Sequence, residues 1–81
     1  MKTTVYTNPS CIQCDMTKKF LDKNDIPYDV IDLSSDAEAL DMVLGLGFKA
    51  APVVVTPVGT WSGFKVENLK AVVEKYHGAR S

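Results

Sequence analysis

The amino-acid sequence predicts an α/β domain with the element order β-α-β-α-β-β-α. Runs of β-branched and aromatic residues alternate with segments of helical periodicity. The first helical segment lies between two strand-like runs, which is the arrangement of a β-α-β unit. The last two strand-like runs are separated only by Pro57-Val58-Gly59, a connection typical of a hairpin. We therefore expect a parallel β-α-β half, a second helix, a β-hairpin and a closing helix.

The first three elements follow from apolar spacing and from the residues that interrupt it. Residues 3–7 (Thr-Thr-Val-Tyr-Thr) suit a strand, and Asn8-Pro9-Ser10 ends it. Residues 12–23 have helical spacing, with lysines on one side. The apolar residues that recur on the other side are Ile12, Met16, Phe20 and Leu21. Residues 28–33, which follow Ile26-Pro27, predict the second strand.

The remaining elements have equally clear boundaries. Ser35-Asp36-Ala37-Glu38 matches a capping box, and the helix that it starts is expected to stop near Gly45 and Gly47. Residues 50–56 predict a short apolar strand entered through a proline, and residues 60–62 predict the strand that pairs with it. A third amphipathic helix follows, and residues 78–81 are expected to be a frayed tail. The apolar residues of this helix are Val66, Leu69, Val72, Val73 and Tyr76.

Length and charge restrict the kinds of function that fit. The 81 residues give room for one domain, which we expect to span residues 1–81. A formal net charge of −1 gives no field that would attract nucleic acid or an anionic membrane. There is no apolar run of transmembrane length, and Met1-Lys2-Thr3-Thr4 leads into a short strand rather than into a signal peptide. We expect a cytoplasmic protein with protein or small-molecule partners.

Cys11 and Cys14 are the only two cysteines, and they lie at the head of the first helical segment. Two residues three positions apart in a helical turn share one face, so the two sulfurs are close enough to form a disulfide. The unpaired N–H groups and the partial positive charge of a helix N-terminus stabilise a thiolate. The pair therefore predicts a dithiol that cycles between reduced and oxidised states.

Three other interpretations of the cysteines are weaker. A structural zinc site needs four ligands, and this chain offers two cysteines and the distant His77, so we expect no metal. Two inert buried cysteines are possible, but inertness does not account for their position between a strand and a helix. A secreted disulfide framework normally contains more cysteines and follows a signal peptide.

The order of elements resembles the thioredoxin fold, a four-stranded mixed sheet flanked by three helices, at the size of a glutaredoxin. Three motifs resemble the NrdH-type redoxins more closely. They are residues 6–14 (Tyr-Thr-Asn-Pro-Ser-Cys-Ile-Gln-Cys), residues 51–54 (Ala-Pro-Val-Val) and residues 61–64 (Trp-Ser-Gly-Phe). This resemblance implies a glutaredoxin-like protein with thioredoxin-like activity and no cofactor. It implies a monomer that donates electrons to the large subunit of a class Ib ribonucleotide reductase and is re-reduced by NADPH through thioredoxin reductase.

The sequence departs from two related patterns. Glutaredoxins usually carry Cys-Pro-Tyr-Cys and, later in the chain, acidic residues that hold the amino group of glutathione. Here Lys65 places a positive charge where that family places an anion, which disfavours glutathione because like charges repel. NrdH-type redoxins commonly have Arg-Pro-Asp after Trp-Ser-Gly-Phe, whereas this chain has Lys65-Val66-Glu67. A glutathione-dependent glutaredoxin and a non-catalytic interaction domain remain the alternatives.

Roles for the two cysteines follow from their expected exposure. Cys11, at the open end of the helix, is expected to attack a partner's disulfide as a thiolate, and the more shielded Cys14 is expected to resolve the mixed disulfide. The protein would then act as a protein disulfide oxidoreductase, as an electron carrier.

The resemblance also implies roles for residues around the dithiol. Pro52 would be a cis-proline opposite the cysteines, so that the backbone of Ala51 can pair with an extended partner segment. Gln13 is expected to be exposed between the sulfurs and to bond a partner's backbone. The segment Trp61-Ser62-Gly63-Phe64 would lie near the active site and bind partners or substrates, with Trp61 also as a supporting residue. On composition alone, Trp61 and Phe64 could equally be core residues.

Overall fold

The computed structural model describes residues 2–78 and confirms the predicted order of strands and helices. The elements are β1 (Thr4–Thr7), α1 (Ile12–Lys23), β2 (Asp29–Asp32), α2 (Ala37–Gly45), β3 (Val53–Thr56), β4 (Gly59–Ser62) and α3 (Val66–Gly78). The sequence predicted a tail that begins at Gly78, but this residue is the last of α3. The rest of the predicted tail, 79–81, lies outside the described residues.

The four strands form one mixed sheet in the order β2-β1-β3-β4. β1 is parallel to β2 and antiparallel to β3, and β3 pairs with β4 as an antiparallel hairpin. Val5 of β1 lies opposite Val54 of β3, which in turn lies opposite Trp61 of β4. This is the thioredoxin-like arrangement: a parallel β-α-β half and a hairpin that share one sheet.

Two apolar clusters cover the two faces of the sheet. On one face the buried side chains of β1, β3 and β4 pack against α1 and α3. These residues are Val5, Leu21, Ile26, Val54, Trp61, Leu69 and Val72. On the other face a smaller cluster packs under α2 and contains Leu33, Ala39, Val43 and Val53. The alternation of side chains along β3 explains this division, because Val53 and Val54 point to opposite faces.

Two predicted details of the helices are wrong. The residue that caps α2 is Asp36 rather than Ser35: the Asp36 backbone is extended, and its carboxylate accepts the Ala39 N–H at 3.0 Å. The buried side of α1 consists of Cys14, Thr17 and Leu21, whereas Ile12 and Met16 are 77% and 42% exposed. No helix within residues 2–78 is long and apolar enough to cross a membrane.

Candidate active site at the start of the first helix

Cys11 and Cys14 form a disulfide at the N-terminus of α1, with their Cα atoms 5.2 Å apart. Cys11 is the N-cap residue and is partly exposed, whereas Cys14 lies within the first turn and is 1% exposed. Only the Cys11 sulfur is therefore accessible to another molecule. It can attack a partner's sulfur when it is reduced, and a partner's thiolate can attack it when it is oxidised. The predicted difference in exposure is confirmed, and the division between an attacking and a resolving cysteine stays a prediction.

The Cys11 sulfur lies where the helix terminus favours negative charge. It accepts a hydrogen bond from the Cys14 backbone N–H at 3.1 Å, so that the sulfur takes the place of the usual capping oxygen. A thiolate at this position would keep that hydrogen bond and would also face the positive end of the helix. Ser10, directly before Cys11, has φ 57°, the left-handed conformation through which the chain turns from β1 into α1.

The Ala51–Pro52 peptide bond is cis, as predicted. The Pro52 side chain is fully buried and Ala51 is partly exposed just before β3. The Pro52 carbonyl accepts the Gly63 N–H at 2.8 Å, which joins the proline loop to the loop after β4. The pairing of Ala51 with a partner's backbone stays a prediction.

Residues 62–64, the last residue of β4 and the first two of the loop that follows it, are held to the cis-proline loop and to the cysteine turn by hydrogen bonds. The Ser62 hydroxyl donates to the Ala50 carbonyl at 2.7 Å, and the next residue makes the bond to Pro52 just described. The Phe64 N–H donates to the Gln13 side-chain carbonyl at 3.1 Å. Residues 62–64, the cis-proline loop and the cysteine turn therefore form one connected unit.

Gln13 is exposed, as predicted, but its side-chain oxygen already binds within the chain. The acceptor belongs to a residue between the two cysteines, and the donor lies 51 residues further along. No pattern of residue types indicates this contact, because it depends on how two distant loops meet in the folded chain. Binding of Gln13 to a partner's backbone stays a prediction and would rest on its amide N–H groups.

Trp61 is a core residue. It is 6% exposed, and its indole Nε1 is buried without a hydrogen-bond partner among residues 2–78. Phe64 is partly buried and meets Phe20 of α1 edge to face, with the ring centroids 6.4 Å apart. Both aromatic side chains thus support the sheet and α1, while a contact between Trp61 and a partner stays a prediction for its small exposed edge.

An apolar surface that the sequence did not indicate lies beside Cys11. Helical spacing assigned Ile12 and Met16 to the apolar side of α1, but both are exposed, and Ile12 directly follows Cys11 in the chain. Within the described part of the chain, no group of three or more His, Cys, Asp or Glu residues could hold a metal ion.

Comparison with known proteins identifies a family to which this chain is similar. Residues 3–57 match the glutaredoxin family. The chain is 38% identical over 66 residues to the glutaredoxin-like protein NrdH of Lactococcus lactis, covering 82% of this chain and 92% of that protein. It is 29% identical over 79 residues to the NrdH protein of Escherichia coli, covering 98% of each.

Solved structures give the same result for the fold. The structure of Escherichia coli NrdH-redoxin, described as a glutaredoxin-like protein with a thioredoxin-like activity profile, superimposes with a TM-score of 0.86 at 29% identity. That superposition covers 89% of this chain and 95% of the other. A second structure, the thioredoxin-like protein BC3987, gives a TM-score of 0.81 at 33% identity over 88% and 99% of the two chains.

Proposed function

We propose that this chain, which belongs to the glutaredoxin family and to its NrdH-type members, carries electrons to a ribonucleotide reductase and is re-reduced by NADPH through thioredoxin reductase. The observation that carries this proposal is the Cys11–Cys14 pair, one sulfur partly exposed and one buried, at the N-terminus of α1. The similarity to NrdH proteins supports the choice of partners.

The electron transfer is a two-step exchange. In the reduced protein the Cys11 thiolate attacks one sulfur of the partner's disulfide, a mixed disulfide forms, and the partner's other sulfur leaves as a thiolate that takes up a proton. Cys14 then loses its proton and attacks the Cys11 sulfur. This releases the partner's second thiol and leaves the Cys11–Cys14 disulfide, so two electrons have moved to the partner.

The reverse exchange restores the dithiol. One thiolate of the thioredoxin reductase dithiol attacks the exposed Cys11 sulfur, and Cys14 leaves as a thiolate that takes up a proton. The second reductase thiol then attacks the reductase sulfur of this mixed disulfide, which frees the Cys11 thiol and leaves the reductase with a disulfide. The terminal N–H groups of α1 favour negative charge at this site and so favour the departure of a thiolate. The protein thus acts as a disulfide oxidoreductase whose only redox group is its own cysteine pair.

The partner surface that we propose surrounds Cys11. An extended segment of the large subunit of a class Ib ribonucleotide reductase pairs with the Ala51 backbone beside the cis-proline. The exposed Ile12 and Met16 side chains extend this surface along α1. We further propose that residues 1–81 form one redoxin domain, that the protein is a monomer and that it acts in the cytoplasm.

Glutathione is the alternative electron source. Lys65 is exposed and makes no ion pair with the residues described, so its full positive charge faces solvent at the start of α3. A positive charge there opposes the ammonium group of glutathione, which supports thioredoxin reductase as the electron source.

A coupled assay tests the proposal. The oxidised protein is supplied with NADPH and thioredoxin reductase, or with NADPH, glutathione and glutathione reductase, and a class Ib ribonucleotide reductase is the final acceptor. We expect turnover with the first system, and none for the matched Cys11→Ser protein. Turnover with glutathione alone would overturn the proposed electron source, and turnover with neither system would favour a non-catalytic interaction domain.

A further inference from the structure

Three hydrogen bonds from residues 62–64 connect the segments of the candidate site, and only one of them reaches the turn that carries the cysteines. The bonds from Ser62 to Ala50 and from Gly63 to Pro52 join the end of β4 and the β4–α3 loop to the cis-proline loop. The bond between the Phe64 N–H and the Gln13 Oε1 joins both loops to the turn that carries the cysteines. Of these three bonds, only the one made by the Gln13 side chain attaches the cysteine turn to the other two loops.

The hydrogen bond between Gln13 and the Phe64 N–H depends on the chemistry of the glutamine side chain and on the conformation of Gly63. A glutamine side chain loses considerable rotational freedom when it is fixed, and Gln13 is exposed, so burial of its side chain does not compensate. The partner of Gln13 is the Phe64 backbone N–H, which is a donor. In the Gln13 side chain only the carbonyl oxygen can accept from it. Gly63 has φ +94°, a backbone conformation that residues other than glycine rarely adopt, so the glycine allows the turn that presents the Phe64 N–H to the Gln13 oxygen.

We propose that Gln13 is a positioning residue that holds the Phe64 loop and the cis-proline loop in register with the disulfide, so that an extended protein substrate meets a preassembled surface. The inference rests on the proposed dithiol function and concerns how the same site recognises its substrates. A protein substrate must contact the cysteine turn and the loops together. A small disulfide needs only the exposed Cys11 sulfur, so Gln13 should matter for the first and not for the second.

The test compares two disulfides that are reduced by the pre-reduced protein, without any reductase. Insulin serves as the protein disulfide and 2-hydroxyethyl disulfide as the small one, and second-order rate constants are measured for wild type, Gln13→Ala, Gln13→Glu and the control Lys19→Ala. Gln13→Glu keeps a side-chain oxygen that can accept from the Phe64 N–H. Lys19→Ala changes an exposed α1 residue outside the site.

For Gln13→Ala we expect the rate with insulin to fall about threefold to tenfold, which is the range that the net contribution of one hydrogen bond supports. The rate with 2-hydroxyethyl disulfide should stay within about twofold of wild type, since the sulfur chemistry is unchanged. Hydrogen exchange of the Phe64 amide, followed by NMR, should become faster by the same three to ten times. The ratio of the two rates should return to the wild-type value in Gln13→Glu and should not change in Lys19→Ala.

Several results would overturn the inference. Equal losses with both disulfides would mean that Gln13 acts on the cysteines or on the fold. Faster Phe64 exchange with an unchanged insulin rate would mean that the bond does not position the surface, and unchanged exchange would mean that the bond is not formed in solution. If wild type reduces neither disulfide, the dithiol function itself is wrong and this inference falls with it.

Discussion

Replacement of Trp61 tests how much the burial of its side chain stabilises the core next to the β4–α3 loop. Trp61 is 6% exposed and belongs to the same buried cluster as Val5, Val54 and Leu69. Loss of a buried tryptophan ring costs about 3–5 kcal/mol, because both the transfer energy and the packing around the cavity are lost. A chain of this size has a free energy of unfolding of about 4–12 kcal/mol. Trp61→Ala should therefore be close to unfolded at the lower end of that range.

Trp61→Phe separates the ring from its N–H group. The change removes a buried indole N–H that has no partner among residues 2–78, and a group of that kind costs about 1–3 kcal/mol. It also removes two ring carbons, worth about 1.6 kcal/mol at roughly 0.8 kcal/mol each. The two effects oppose each other, so the free energy of unfolding should stay within about 1.5 kcal/mol of wild type.

Urea denaturation followed by circular dichroism measures both changes on one scale. Turnover with thioredoxin reductase, measured below the unfolding transition, should be retained by Trp61→Phe. A loss of less than about 1 kcal/mol in Trp61→Ala would contradict the core role of Trp61, since a buried ring cannot be removed at so small a cost. A loss in Trp61→Phe as large as that in Trp61→Ala would contradict the assignment of the indole N–H as an unpaired group, because the N–H would then be stabilising.

Two further predictions concern stability. Burial raises the pKa of Tyr28 to about 12, assisted by its hydrogen bond to Asp22 and by the charge of that carboxylate. Because the pKa in the unfolded chain is about 10, this stabilisation is complete below pH 10 and is lost as the pH rises towards 12. Over that interval the unfolding free energy of wild type should fall relative to that of Tyr28→Phe in denaturation curves, and a constant difference would contradict the assignment. Asp36→Ala removes the N-cap of α2 and should lower the free energy of unfolding, measured in urea, by about 1 kcal/mol. The control Ser35→Ala should change it by less than about 0.5 kcal/mol. Equal losses in the two proteins would contradict Asp36 as the cap.

The order of elements was predictable because local signals in the sequence agree with one another. Residues 8–10 interrupt the chain between β1 and α1, and Pro57-Val58 separates β3 from β4, whose first residue is Gly59. The cysteine pair was predictable for the same reason, since its spacing and its position before a helix are both local. The cis bond before Pro52 was expected only through the resemblance to a family, because most bonds that precede proline are trans.

The structure differs from the predictions where tertiary packing decides the outcome. Helical spacing placed Ile12 and Met16 on the apolar side of α1, but the sheet packs against the side that carries Cys14, Thr17 and Leu21. Apolar spacing indicates that a helix has such a side and cannot say which part of it the sheet covers. The bond between Gln13 and Phe64 was not predictable, since it joins two loops that are distant in sequence.

The most direct test of the proposed electron transfer is to trap its intermediate. Reduced Cys14→Ser and Cys11→Ser proteins are mixed with an oxidised class Ib ribonucleotide reductase, and the covalent complexes are mapped by mass spectrometry of non-reduced peptides. We predict that Cys14→Ser accumulates a mixed disulfide through Cys11, because the resolving thiol is missing, and that Cys11→Ser forms none. A complex formed by Cys11→Ser through Cys14, with none formed by Cys14→Ser, would contradict the proposed roles of the two cysteines.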